Sequence, residues 1–400
     1  MSGVEHAPAR ATPRPDLMQR LAAERLRREQ AQLLRRVRTC MPQQGAWVLI
    51  EGQLQRDFSS NDYLGLARDP ALVAALTRAA HASGVGAGAA HLLGGHRDEH
   101  AQLEAALAEW TGRERALLFS TGYMANLGVL AGLLEAGDLC VQDKLNHASL
   151  IDGARLSGAT LRRYRHADVE SAARQLASLP QAAALLATDG VFSMDGDVAP
   201  LAQLASLCAD TGALMLVDDA HGLGVFGADG AGSLAEAGLG QTQVPLLMGT
   251  LGKALGCFGA FVAGPAMLIE ALVQGARSFI YTTAMPPALA SATLTALGIA
   301  RNDHERRARL HARIAQFRDG ARTLNFPVLE SHSAIQPILL GNAQAALTAS
   351  SRLAQRGFHV PAVRPPTVPA GQARLRVTLS AAHCEADVAA LLDALAAVAR

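Results

Sequence analysis

Three short apolar runs stand out along the chain: Ala116-Leu117-Leu118-Phe119, Ala213-Leu214-Met215-Leu216-Val217 and Pro245-Leu246-Leu247-Met248. They are too short for helices and contain no polar position to face water, so they read as buried strands. Between them the spacing of apolar positions becomes helical, at residues 71–82 and again at 124–134. This alternation, continuing to about residue 300, predicts an α/β architecture with a mostly parallel central sheet. Ahead of it, residues 16–38 read as a helix, with Asp16 as the cap and leucines at Leu17, Leu21, Leu26, Leu33 and Leu34. Beyond it, residues 301–324 read as a long charged helix that leads into a smaller α+β lobe. The expected organisation is a disordered tail at 1–15, an N-terminal helical arm at 16–60, a large domain at 61–300 and a small C-terminal domain at 301–400.

The ends of these strands carry the chemistry. The second apolar run stops abruptly at Asp218-Asp219-Ala220-His221-Gly222, the carboxyl end at which open α/β sheets bind ligands. The third passes into Gly249-Thr250-Leu251-Gly252-Lys253-Ala254-Leu255-Gly256. Of the 36 basic residues only Lys144 and Lys253 are lysines, so a chain that otherwise chooses guanidinium keeps a primary amine at two positions. Arginine cannot serve as an amine nucleophile toward an aldehyde, whereas lysine can. A surface lysine on a glycine-rich loop is the alternative reading of Lys253. Pyridoxal 5'-phosphate needs a lysine to carry it as a Schiff base and a carboxylate at its ring nitrogen, and Lys253 and Asp218 are the candidates.

With Asp-x-Ala-His-Gly and Thr-x-Gly-Lys in place, the chain resembles the α-oxoamine synthases from about Leu34 to His383. That resemblance implies an aminotransferase-like fold (fold type I pyridoxal-phosphate enzyme). Position by position, it also implies that the turn Ser120-Thr121-Gly122-Tyr123 holds the phosphate, at the start of a helix whose N–H groups face the anion. It further implies that His147 of Asn146-His147-Ala148-Ser149 stacks on the pyridine ring and assists proton transfer. The resemblance likewise implies that Ser193 and His221 approach the phenolic oxygen and that Thr250 contacts the phosphate. Thr283, in Tyr281-Thr282-Thr283-Ala284-Met285-Pro286-Pro287, reaches the phosphate of a neighbouring subunit, so a homodimer with active sites at the interface is implied. Each of these residues also has a structural reading, as a turn, a cap or a packed histidine; their order along one chain is what favours chemistry.

The C-terminal segment Ala362-Val363-Arg364-Pro365-Pro366-Thr367, continuing to His383, resembles the branch of the family that condenses L-alanine with a pimeloyl thioester, carried on coenzyme A or on acyl carrier protein. The likeness implies that Arg364 binds the amino-acid carboxylate, its planar fork matching two oxygens, with Thr367 nearby. Asn61, in Ser59-Ser60-Asn61-Asp62-Tyr63-Leu64-Gly65-Leu66, contacts substrate or cofactor or else shapes a turn. The arginine that shapes the acyl pocket aligns with Arg35, with Arg36 and Arg38 close by. Arg374 and Arg376, at period-two spacing, read as one face of a strand held by charge pairs. A glycine-using member of the family is the rival reading.

One stretch departs from the family pattern. Gly84-Val85-Gly86-Ala87-Gly88-Ala89-Ala90 has alanines where small hydroxyl residues are common, and its G-x-G-x-x-A string suggests a dinucleotide site. It follows a helical segment, without the strand-turn-helix context that such a site needs. His96 and His100 lack the H-E-x-x-H order, so no metal site is expected. A net charge of +1 argues against a nucleic-acid partner. No long charge-free apolar stretch points to a membrane. Five cysteines, odd in number and without C-x-x-C spacing, suit free thiols in a reducing compartment. The expected location is accordingly cytoplasmic; residues 1–15 lack the hydrophobic centre of a secretory signal and read as a tail, with organelle targeting as the alternative.

Overall fold

A computed structural model describes residues 14–324 and 326–398. The tail expected at 1–15 therefore lies almost wholly outside the described residues. Seven strands form the central sheet, in the spatial order Arg115–Phe119, Ala260–Gly264, Leu246–Thr250, Leu214–Asp218, Ala184–Asp189, Leu139–Asp143 and Thr160–Tyr164. All three apolar runs are strands of this sheet. Only Ala260–Gly264 runs antiparallel to its neighbours; the other pairings are parallel. Helices cover both faces, which is why the inner strands are apolar at successive positions instead of alternating.

Parallel strands point their carboxyl ends to one side, and that direction places the site. Asp189 pairs in register with Asp218, and Asp218 with Met248, so three strands stop at one level. The helix predicted at 124–134 spans Gly122–Leu133. Thr121 caps it, its hydroxyl accepting from the Met124 N–H at 3.1 Å. A second helix, Ala148–Ser157, begins at His147, whose ring nitrogen accepts from the Ser149 N–H.

Two helices differ from their predicted extents. The N-terminal helix, capped by Asp16 as expected, covers Leu17–Gln30 and stops there. Gln32 adopts a left-handed φ of 57° that a helix cannot continue through, so Leu33, Leu34 and Arg35 to Arg38 are not helical. The charged helix is His304–Thr323. Arg301 belongs to the preceding helix Pro287–Asn302, and Asp303 restarts the chain by accepting from the Arg306 N–H at 2.9 Å. The helix at residues 71–82 is found as Pro70–Ser83, and Gly84 closes it at φ 81°. The string that follows thus comes after a helix, as the dinucleotide reading cannot accommodate.

The C-terminal lobe is α+β. Strands Ile335–Gly341, Ala373–Thr378 and Ala362–Val363 form one sheet. A second sheet joins the arm to this lobe, since Gln53–Asp57 pairs with Trp47–Ile50 on one side and, in parallel, with Phe358–His359 on the other. One apolar core, including Phe58, Tyr63, Leu103, Phe261, Phe317, Leu375 and Leu391, runs from the sheet into this lobe. That shared core fixes the lobe's cleft-facing strand against the strand ends.

Candidate active site

The strand ends enclose a cavity of about 220 Å³ lined by Gly122, Tyr123, Asn126, His147, Ser149, Asp189, Ser193, Asp218, His221, Thr250 and Lys253. His147, Ser193, His221 and Lys253 also border an outer cleft of about 800 Å³, with Arg35, Asn61, Thr367, Arg374 and Arg376 on its walls. Eight of the expected cofactor-site residues thus meet in the inner cavity, and three of the four substrate-site residues border the outer one.

Lys253 sits on a turn just past the end of Leu246–Thr250. The turn closes at Gly256 with φ 64°, packed so tightly against the Ala67 backbone that a side chain at this position would collide with it. The Lys253 amine lies 2.9 Å from His221 Nε2. On the far side of the imidazole, Nδ1 is 2.6 Å from the Tyr63 hydroxyl, which in turn is 3.2 Å from Asn61 Oδ1. Arg376 donates to the same Asn61 oxygen at 3.3 Å through both terminal nitrogens, and its Nε donates to the Ser193 carbonyl at 2.7 Å. Every donor finds an acceptor when the amine donates to Nε2, Nδ1–H donates to Tyr63, and Tyr63 donates to Asn61.

Electrostatics favour a reactive amine. Burial brings the Lys253 pKa down to about 8, against the pull of the Asp218 carboxylate. Burial, with the Lys253 and Arg376 charges behind it, also holds His221 well below its ordinary value, so its imidazole is neutral. Tyr63 is pushed up to about 12 by burial and remains a phenol.

Asp218 ends its strand with Oδ1 accepting from the Ala220 N–H at 3.1 Å and Oδ2 accepting from Asn126 Nδ2 at 2.7 Å. His147 lies at the cleft surface, its backbone N–H donating to the Asp189 carboxylate at 3.2 Å. Desolvation of its ring lowers its pKa, against the pull of the Asp218 carboxylate. Tyr123 donates to Asp152 and stands edge-on to His147, with ring centroids 6.3 Å apart. Thr250 Oγ1 accepts from the Gly252 N–H at 3.3 Å and donates to the Gly259 carbonyl at 3.2 Å.

Two expected residues are not brought to either cavity. The Arg364 guanidinium donates to the Gln32 carbonyl and is not on the cleft wall, although Pro366 and Thr367 are. Thr283 is exposed and bridges Ala90, outside both linings. The charge-pair reading of the two strand arginines holds for Arg374, which meets Asp195 at 2.5 Å. Arg376 instead bonds the Asn61 amide, the Ser193 carbonyl and the Thr378 hydroxyl. Both are buried at the cleft wall, not on a solvated face. Residues missed in the sequence are Asn126, Ser149, Tyr63 and Asp189. Asn126 had a signal, being the one amide in the otherwise apolar Gly122–Leu133 and one turn beyond Gly122. The other three had none strong enough to separate them from turn or core positions. Among the described residues, no group of three or more His, Cys, Asp or Glu side chains could hold a metal ion.

The model of the family described as aminotransferase class I and II matches residues 55–395. The 8-amino-7-oxononanoate synthase of Alkalilimnicola ehrlichii is 58% identical over 341 residues, 85% of this chain and 87% of its own. That of Halorhodospira halophila is 55% identical over 385 residues, 95% of each chain. The chain belongs to the 8-amino-7-oxononanoate synthase family of the class I and II aminotransferases. Among solved structures, serine palmitoyltransferase from S. paucimobilis, with PLP joined to myriocin, superposes with a TM-score of 0.91 at 31% identity, over 96% of this chain and 99% of its own. The 8-amino-7-oxononanoate synthase of Francisella tularensis gives 0.75 at 32%, over 85% and 96%. Family membership makes the protein a pyridoxal-phosphate-dependent acyltransferase of fold type I. The donor set fits that cofactor. A buried amine, a carboxylate across the cavity, an imidazole at its wall and the capped N-terminus of Gly122–Leu133 are what aldehyde, ring nitrogen, ring face and phosphate require. Among the described residues, no helix is long and apolar enough to cross a membrane.

Proposed function

We propose that the protein catalyses the decarboxylative condensation of L-alanine with a pimeloyl thioester, giving 8-amino-7-oxononanoate, carbon dioxide and the free thiol, as a step in making biotin. The observation that carries this reading is the set of relatives bearing that enzyme's name, 52–58% identical over 85–95% of the chain. The acyl carrier is coenzyme A or acyl carrier protein.

Bound pyridoxal phosphate supplies an aldehyde that condenses with amines and a protonated ring that accepts the electron pair released at the α-carbon. Lys253 would carry it, and Gly122, Tyr123 and Thr250 would hold its phosphate. Asp218, two of whose lone pairs are already engaged by Ala220 and Asn126, keeps a proton on the ring nitrogen. His147 would cover the ring, while Ser193 and His221 would border the phenolic oxygen. With a pKa of about 8, the Lys253 amine is poised near neutrality to take the α-proton of alanine and to return a proton after carbon dioxide has left. Neutral His221 accepts a hydrogen bond from that amine and orients it. Arg364 binds the alanine carboxylate, which requires its guanidinium to leave the Gln32 carbonyl and turn toward Thr367. Arg35 and Asn61 line the acyl path in the outer cleft. The working form is a homodimer in which Thr283, exposed on one copy, meets the phosphate of the other.

Mass spectrometry of the products tests this reading, with alanine, glycine and serine each offered against pimeloyl, acetyl and succinyl thioesters. Alanine with the pimeloyl donor is expected to give 8-amino-7-oxononanoate; turnover of glycine with acetyl or succinyl donors alone would overturn it in favour of a glycine-using relative.

A further inference from the structure

Asn126 is fully buried in the helix Gly122–Leu133, and its amide is used unevenly. Both N–H bonds are committed, one to Asp218 Oδ2 at 2.7 Å and one to Ser149 Oγ at 2.8 Å, while Oδ1 has no partner among the described residues. The two ends of the amide are not interchangeable here. An ionised carboxylate only accepts, so the atom beside Asp218 must be the nitrogen. Leaving a buried carbonyl unpartnered is costly, and such a cost calls for a compensating role.

The chain of bonds continues past Asn126. Ser149 Oγ accepts from Asn126, so its own hydrogen is free to donate to His147 Nδ1, 2.7 Å away; the Ser149 backbone N–H points at the same nitrogen at 3.3 Å. Nδ1 is therefore an acceptor, and the proton of neutral His147 sits on Nε2. Two side chains that border the cavity from different elements, the strand end at Asp218 and the helix start at His147, are tied together by a bridge in which every donor direction is determined.

We propose that Asn126 and Ser149 are positioning residues: their bridge fixes the Asp218 carboxylate toward the cofactor's ring nitrogen and, through the same bonds, sets the orientation and tautomer of His147. The inference rests on the reading of this cavity as the pyridoxal-phosphate site with Asp218 at the ring nitrogen. Neither bridge residue touches the reacting atoms. Without Asn126, Asp218 Oδ2 loses the one side-chain donor it has among the described residues, and the carboxylate can rotate about its last bond. Without the Ser149 hydroxyl, one Asn126 hydrogen is left without an acceptor and the amide is free to turn away from Asp218.

The test is an equilibrium binding measurement on apoprotein, comparing pyridoxal phosphate with its 1-deaza analogue, in which the ring nitrogen is replaced by carbon. The affinity ratio isolates the contact between Asp218 and the ring nitrogen, because every other contact is common to both molecules. The wild-type protein is expected to favour pyridoxal phosphate, and Asp218→Asn to abolish the preference. Asn126→Ala is expected to cut the ratio about ten- to a hundredfold, the size of a hydrogen bond to a charged group, and Ser149→Ala to cut it by a smaller factor. A purely structural role would weaken both ligands equally and leave the ratio unchanged. A wild-type ratio in either folded variant overturns the proposal. If Asn126→Ala does not fold, the smaller Ser149→Ala change decides alone. A wild-type protein with no preference at all overturns the cavity reading itself, a result distinct from the first, and the proposal falls with it.

Discussion

Titrating the apoprotein measures the property on which Lys253 depends. Its pKa is lowered from 10.5 to about 8 by burial, and only the neutral amine attacks an aldehyde. At pH 7 an amine of pKa about 8 is about 9% neutral, against about 0.03% at 10.5, so the buried lysine is roughly 300-fold better supplied with nucleophile. The rate of pyridoxal-phosphate capture by apoprotein, followed by growth of the visible absorbance band, should rise about tenfold per pH unit up to pH 7, bend near pH 8 and level off above it. The Asp218 carboxylate opposes the burial effect, so Asp218→Asn should move the bend to lower pH. A rate that keeps climbing tenfold per unit beyond pH 9.5 would refute the argument, since the amine would then be an ordinary exposed lysine.

Two further outcomes follow from named contacts. Replacing Arg364 with alanine should raise the KM for alanine by about ten- to a hundredfold with little change in kcat, the pattern of lost carboxylate binding; an unchanged KM would leave Arg376, already at the cleft wall, as the carboxylate partner. His166 concerns stability: burial works against its charge, but Asp143 at 3.2 Å and Asp197 at 2.8 Å overcome this and raise its pKa from 6.5 to about 10. A pKa raised on folding contributes stability that is complete below about pH 6.5 and lost as pH rises toward 10. Chemical denaturation across that window should show wild-type stability falling relative to His166→Gln, and parallel curves would contradict the clamp.

Where a single side chain must stand at a strand end, the sequence pattern was sufficient. Asp218 and Lys253 each follow an apolar run whose strand direction is forced by the parallel sheet, and both line the inner cavity. His147 and Gly122 follow for the same reason, since each starts a helix directly after a strand. Legibility fails where function depends on pairing between distant segments. Tyr63 meets His221 across 158 positions, and Asn126 meets Asp218 across 92, separations that no local period encodes. It fails again at Arg376, where period-two spacing suggested a charged face. The strand lies in the middle of its sheet, flanked by Ile335–Gly341 and Ala362–Val363, so both arginines are buried, and Arg376 is satisfied by a carbonyl, an amide oxygen and a hydroxyl and not by a charge pair. The over-long helix at 16–38 has a similar origin, because leucine spacing continues past Gln30 while the backbone at Gln32 does not.

The most direct test of the central claim is borohydride reduction of the holoenzyme followed by peptide mass spectrometry. With only two lysines in the chain, the assignment has two possible answers. A pyridoxyl-phosphate mass on the peptide containing Lys253, with Lys144 unmodified, is the predicted result. The same mass on Lys144, or no modified lysine in a protein that still carries the cofactor, would contradict it.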